Sequence, residues 1–282
     1  MTSTYFVTST PLITPLIPPL NAVFVKSLSG SANHVDFAQT VLLSAVMGFS
    51  IYLSLPIVLH RKTGEIRTRI LTAVATGILL FLLADIFSNA GTSLFNGSLY
   101  GFGSSFSNDA VFLATLSAGF LTLFFAGNRS KSGLTQAGLS LVIAIGMGFQ
   151  NLTEGLVFGS LGVALGLPGA TLTVLVGFIF QNISEGFAIA SPFLGKTEGK
   201  ARLMLPLFLI GGIPTILGGS LGFFYNSAIF NLAFDGVAIG AILYAILPML
   251  KSLFRESSPE LQRLTFLGVF VGFVLGFLVN LI

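Results

Sequence analysis

What constrains this chain most is a series of apolar stretches long enough to cross a lipid bilayer. A spanning helix needs about 20 mostly apolar residues. Eight such stretches are predicted, at 37–59, 69–90, 110–127, 135–161, 169–193, 203–225, 228–250 and 264–282. Lipid offers no water to satisfy backbone N–H and C=O groups, so each stretch is expected to be helical. The expected fold class is an all-α membrane protein with eight transmembrane helices. Only 8% of the residues are charged. A soluble domain carries about 25%, so an ordinary soluble enzyme, a disordered chain and a nucleic-acid binder are all excluded. The chain has no cysteine, which removes disulfides and thiolate chemistry.

The basic residues predict an orientation. Arg61, Lys62, Arg67 and Arg69 fall between spans one and two, Arg129 and Lys131 between three and four. Lys196, Lys200 and Arg202 fall between five and six, and Lys251, Arg255 and Arg263 between seven and eight. Lys26 is the one basic residue elsewhere among the 13. The positive-inside rule assigns the four basic loops to the cytoplasm, which puts both termini outside. Residues 1–36 are expected to form an external arm before a polytopic domain at 37–282, because Pro11, Pro15, Pro18 and Pro19 interrupt any helix there. No basic region leads into a clean apolar run, so a cleaved signal peptide is not expected. The Gly-, Ser- and Asn-rich stretch 91–109 reads as a second external excursion.

Three acids fall well inside spans: Asp85, Glu154 and Glu185. An ionisable group in a bilayer core costs several kcal/mol unless paired, hydrated or metal-bound, so each is a functional candidate. Two of them belong to an internal echo. Span four carries Gln150-Asn151-Leu152-Thr153-Glu154-Gly155, and span five carries Gln181-Asn182-Ile183-Ser184-Glu185-Gly186. Spacings of three and four put Gln, Asn and Glu on one helix face. Adjacent spans run antiparallel, and each Gln lies about 12 residues from its span's outer end, so at about 1.5 Å per residue the motifs meet near the midplane. Two carboxylates and four carboxamides then converge, and six side-chain oxygens suit a divalent cation. The glycine after each glutamate permits close helix approach or local unwinding. The alternative is that these polar groups only hydrogen-bond helices to one another.

With these motifs the chain resembles the ZIP (Zrt/Irt-like) family of divalent-metal transporters, as a divergent, prokaryotic-type member. The resemblance covers about 37–282 and includes Thr76–Asp85 on span two and Gly240–Tyr244 on span seven. Family members usually carry His-Asn-x-Pro-Glu-Gly on span four, where Gln150 stands in place of the His and Thr153 in place of the Pro. An acid often found on span six before a Pro is replaced by Ile213, next to Pro214. The acidic pair that often follows the span-seven tyrosine is absent after Tyr244, and the short loop 128–134 lacks the family's histidines. A single oxygen-rich site is therefore expected rather than a binuclear one. The resemblance implies uptake of Zn²⁺, Fe²⁺ or Mn²⁺ into the cytoplasm across the cell membrane, by alternating access, and suggests a homodimer. Without imidazole, selectivity is expected to relax or shift toward harder ions.

The predicted metal ligands are Gln150, Asn151, Glu154, Gln181, Asn182 and Glu185. Asp85 either lines the path or makes a structural hydrogen bond. Asp235, near the outer end of span seven, reads as interfacial. His34 and His60 are too far apart in the chain to share a site, and Met147 reads as packing. Asn96-Gly97-Ser98 is the one glycosylation pattern expected outside the membrane. No catalytic set is present, so neither an enzyme nor a bound cofactor is expected; the metal is cargo. Two rivals stay open: a transporter of another small solute on the same scaffold, and a non-transporting membrane scaffold or sensor.

Overall fold

The structure is a computed structural model that describes residues 35–56, 64–94, 106–128, 135–165, 172–194, 200–255 and 258–281. Most of the arm at 1–36, with His34, His60 and Asn96, lies outside these residues. Among them the chain is helical throughout, with no strand. The helices are α1 (Phe37–Ser50), α2 (Glu65–Leu94), α3 (Phe106–Asn128), α4 (Gln136–Leu165), α5 (Leu172–Ala190), α6 (Lys200–Gly222), α7 (Ala228–Phe254) and α8 (Pro259–Asn280). A 3-10 turn at Ile51–Ser54 extends α1, and another at Ser191–Phe193 extends α5. All eight are long and apolar enough to cross a membrane, one for each predicted stretch. α1 begins in a capping box: Asp36 accepts from the Gln39 N–H, and the Gln39 side chain accepts from the Asp36 N–H.

The helices divide into a centre and a periphery. In α4, 67% of the most apolar window is buried, against 17% in α3 and 22% in α8. α3 and α8 instead expose large apolar side chains such as Phe125, Phe266 and Phe270, the pattern expected of lipid-facing helices. The tightest packing joins α4 to α6, α3 to α7 and α2 to α8. Lipid tails are as apolar as the side chains, so hydrophobicity does not pull helices together; close backbone approach does. Gly155 and Gly218 make this approach between α4 and α6. A Cβ on Gly155 would fall 2.3 Å from Thr215 O, and one on Gly218 would fall 2.2 Å from Leu152 O.

The described basic residues gather at one end of the bundle. Arg67 and Arg69 open α2, Arg202 opens α6, Lys251 and Arg255 close α7, and Arg263 opens α8. Arg69 ties three helices together there, donating to Leu253 O of α7 and, at 3.3 Å, to Thr265 Oγ1 of α8.

Candidate metal centre

α4 and α5 bring the two echoed motifs together in crossed register. Because the helices run antiparallel, the Glu of one motif sits level with the Gln or Asn of the other. Gln181 Nε2 donates to Glu154 Oε1 at 2.5 Å, and Asn151 Nδ2 donates to Glu185 Oε2 at 2.8 Å. Within α4, Gln150 Nε2 also donates to Glu154 Oε1, at 2.9 Å. Neither carboxylate faces outward: Glu154 is 9% exposed and Glu185 is fully buried.

The neighbouring helices hold the amides. Asn151 Nδ2 makes a second bond, 3.0 Å long, to Gly211 O of α6. Asn182 Nδ2 donates to Met47 O of α1 at 3.0 Å. Gly186 lets the Ile51–Ser54 turn sit against α5; a Cβ there would fall 2.4 Å from Ile51 O. Both motif glycines thus serve close approach, and neither helix unwinds at them.

All four amide nitrogens are spent on these bonds, while three of the four amide oxygens and one oxygen of each carboxylate are not. Gln150 Oε1, Asn151 Oδ1, Glu154 Oε2, Asn182 Oδ1 and Glu185 Oε1 are buried and accept no hydrogen bond from the described residues. Buried polar atoms ordinarily have partners, and orphans call for an explanation. A carboxamide oxygen and an ionised carboxylate accept only, so what satisfies five of them together is a donor or a cation. Among the described residues no cluster of three or more His, Cys, Asp or Glu side chains forms elsewhere or here. The centre is therefore carboxylate and carboxamide oxygen.

A cavity of about 660 Å³ reaches this centre from the end of the bundle opposite the basic residues. It is bounded by the last turns of α2 and α8 and the first turns of α7. Gln150, Thr153, Glu154 and Gln181 line it, whereas Asn151, Asn182 and Glu185 do not. Asp85 lines it too, and accepts from Asn280 Nδ2 of α8 at 2.9 Å, the structural hydrogen bond considered from sequence. Among the described lining residues there is no Lys, Arg or His.

Asp235 corrects one expectation. Rather than taking an exposed position, it is 7% exposed, lines the same cavity and lies beside Thr153, whose hydroxyl donates to Phe149 O at 3.3 Å. Its neighbour Phe234 stacks on Phe149, with centroids 6.1 Å apart, so Asp235 lies level with the start of the α4 motif. A sequence signal existed: Asn231 and Asp235 are four apart and share a face of an otherwise apolar helix. Met147 is fully buried in the apolar core, as its packing reading required. Compared with known protein families the chain matches no family model, and compared with curated proteins it matches none.

Proposed function

We propose that this chain is a multi-pass cell-membrane transporter that carries a divalent metal ion through the α4–α5 centre. The observation that carries the reading is the set of five unpartnered buried oxygens around two crossed glutamates. Hydrogen bonds that only tied helices together would pair the oxygens as well as the nitrogens, and here the oxygens are left over. Two carboxylates match the charge of a divalent cation, and neutral oxygens complete a hard coordination shell suited to Mn²⁺ or Fe²⁺, with Zn²⁺ also accepted. Glu154, Glu185, Gln150, Gln181, Asn151 and Asn182 are the proposed ligands. Asp85 and Asp235 give the cavity a negative lining that concentrates cations.

The resemblance to ZIP transporters supports uptake into the cytoplasm. With the basic end cytoplasmic, the cavity opens outward, both termini lie outside, and the conformation receives cargo. Delivery requires a second arrangement in which Glu185 becomes accessible from the basic end. A homodimer follows from the same resemblance.

The test is flux of Mn²⁺, Fe²⁺ and Zn²⁺ into proteoliposomes of the purified chain. Glu154→Gln and Glu185→Gln together are expected to abolish it while the protein stays monodisperse. Undiminished flux in the double variant overturns the assignment. Strong preference for Zn²⁺ over Mn²⁺ overturns the shift toward harder ions.

A further inference from the structure

We propose that Asp235 and Asn231 of α7 form, with Gln150, a second divalent-cation station on the cavity side of Glu154. This rests on the transport reading but adds a helix and a binding step to it. Asp235 is more than nine-tenths buried, yet it lines the cavity and has Thr153 for a neighbour. One turn earlier on the same face, Asn231 also lines the cavity. Its Nδ2 is committed to Asn226 Oδ1 at 3.0 Å, while its Oδ1 is buried and accepts no hydrogen bond from the described residues. From α4, Gln150 is 97% buried, since 3% of it is exposed; its Nε2 goes to Glu154 and its Oε1 has no partner.

Asp235, Asn231 and Gln150, from two helices, therefore line one cavity, and two orphaned amide oxygens lie buried in its wall. That is a hard, singly charged donor set, which leaves coordination positions for water. Such a set holds a partly hydrated divalent ion more loosely than the two-glutamate centre. The stations share Gln150 and adjoin at Glu154, so an ion arriving at the first repels one already bound at the second. Adjacent weak sites of this kind let an ion bind well enough to enter and still leave.

The experiment is equilibrium titration of Mn²⁺ alone on the purified full chain in detergent, read as ions bound per chain and their Kd. The wild type is expected to bind two ions. Asp235→Asn is expected to weaken one of them at least tenfold, and Asn231→Ala the same one several-fold. Glu185→Gln is expected to remove the other. Asp235→Ser provides a second variant should the asparagine fail to fold. A wild type that binds a single ion, with Glu185→Gln abolishing it and Asp235→Asn leaving it unchanged, overturns the station and keeps the transport reading. Two ions whose affinities are both untouched by Asp235→Asn and Asp235→Ser also overturn it. A wild type that binds no Mn²⁺, Fe²⁺ or Zn²⁺ overturns the transport reading and the station together.

Discussion

The two echoed motifs differ at two of six positions, by Thr against Ser and Leu against Ile, and yet their surroundings are opposite. On α4, Glu154 borders the cavity; on α5, Glu185 is sealed. Asn151 is held by a carbonyl of α6 and Asn182 by a carbonyl of α1. Thr153 lies beside Asp235 of α7 while its hydroxyl donates to Phe149 O of its own helix at 3.3 Å; Ser184 likewise donates to Gln181 O, at 2.7 Å, and has no acid of α7 beside it among the described residues. Gly155 lies against the long helix α6, and Gly186 against a single 3-10 turn. Near-identical local sequence thus gives one glutamate that borders the cavity and one that is sealed. In the proposed carrier that inequality is what keeps the site from opening to both sides at once.

The strongest way to break the comparison is labelling. The chain has no cysteine, so Glu154→Cys and Glu185→Cys each introduce one unique thiol. If labelling Glu185→Cys requires a minor conformation populated at about 1%, it runs about 100-fold slower than labelling Glu154→Cys with a water-soluble thiol reagent. Equal rates would show that the two halves are equally open. Next in size are the glycines. Gly155→Ala drives a methyl into the α6 backbone and is expected to cost about 3 kcal/mol, at the upper end of overpacking costs. Gly186→Ala is expected to cost about 1 kcal/mol, because a short turn yields more readily. Thermal unfolding in one detergent ranks them, and the reverse order would refute the assigned roles.

The asparagines come third. Asn151→Ala strips a donor from a buried carboxylate and is expected to weaken Mn²⁺ binding about tenfold, near the low end for charge-assisted bonds. Asn182→Ala releases a backbone carbonyl and one amide oxygen, and about threefold is expected, in line with modest interhelical bonds in membranes. Comparable losses would mean that the motifs contribute symmetrically. The smallest contrast is Ser184→Ala, expected to leave stability within about 0.5 kcal/mol, against Thr153→Val, expected to lower Mn²⁺ affinity measurably by removing the hydroxyl beside Asp235.

Much of this architecture was legible in the residues. The eight spans emerge from hydropathy alone because a helix in lipid must satisfy its own backbone, a condition each segment meets without its neighbours. The meeting of the motifs was legible as well, because helix rise and antiparallel order fix depth arithmetically. Asp235 is not legible in the same way, because distance from a span end measures depth and not burial, and it is α4, through Phe149 and Thr153, that packs over this part of α7. Asn231 has no sequence signal of its own, since an asparagine one turn inside a helix start ordinarily faces headgroups.

The sequence by itself determined the number of helices, the segregation of basic residues to one end, and the level at which two glutamates and their amides would come together. Only the tertiary structure decided which glutamate borders the cavity, which carbonyls hold the asparagines, and that α7 brings a further acid to the same space. Hydropathy and helical periodicity are properties of one segment. The partner a polar face receives depends on which backbones can approach most closely, and in lipid that is settled by small residues meeting across the bundle.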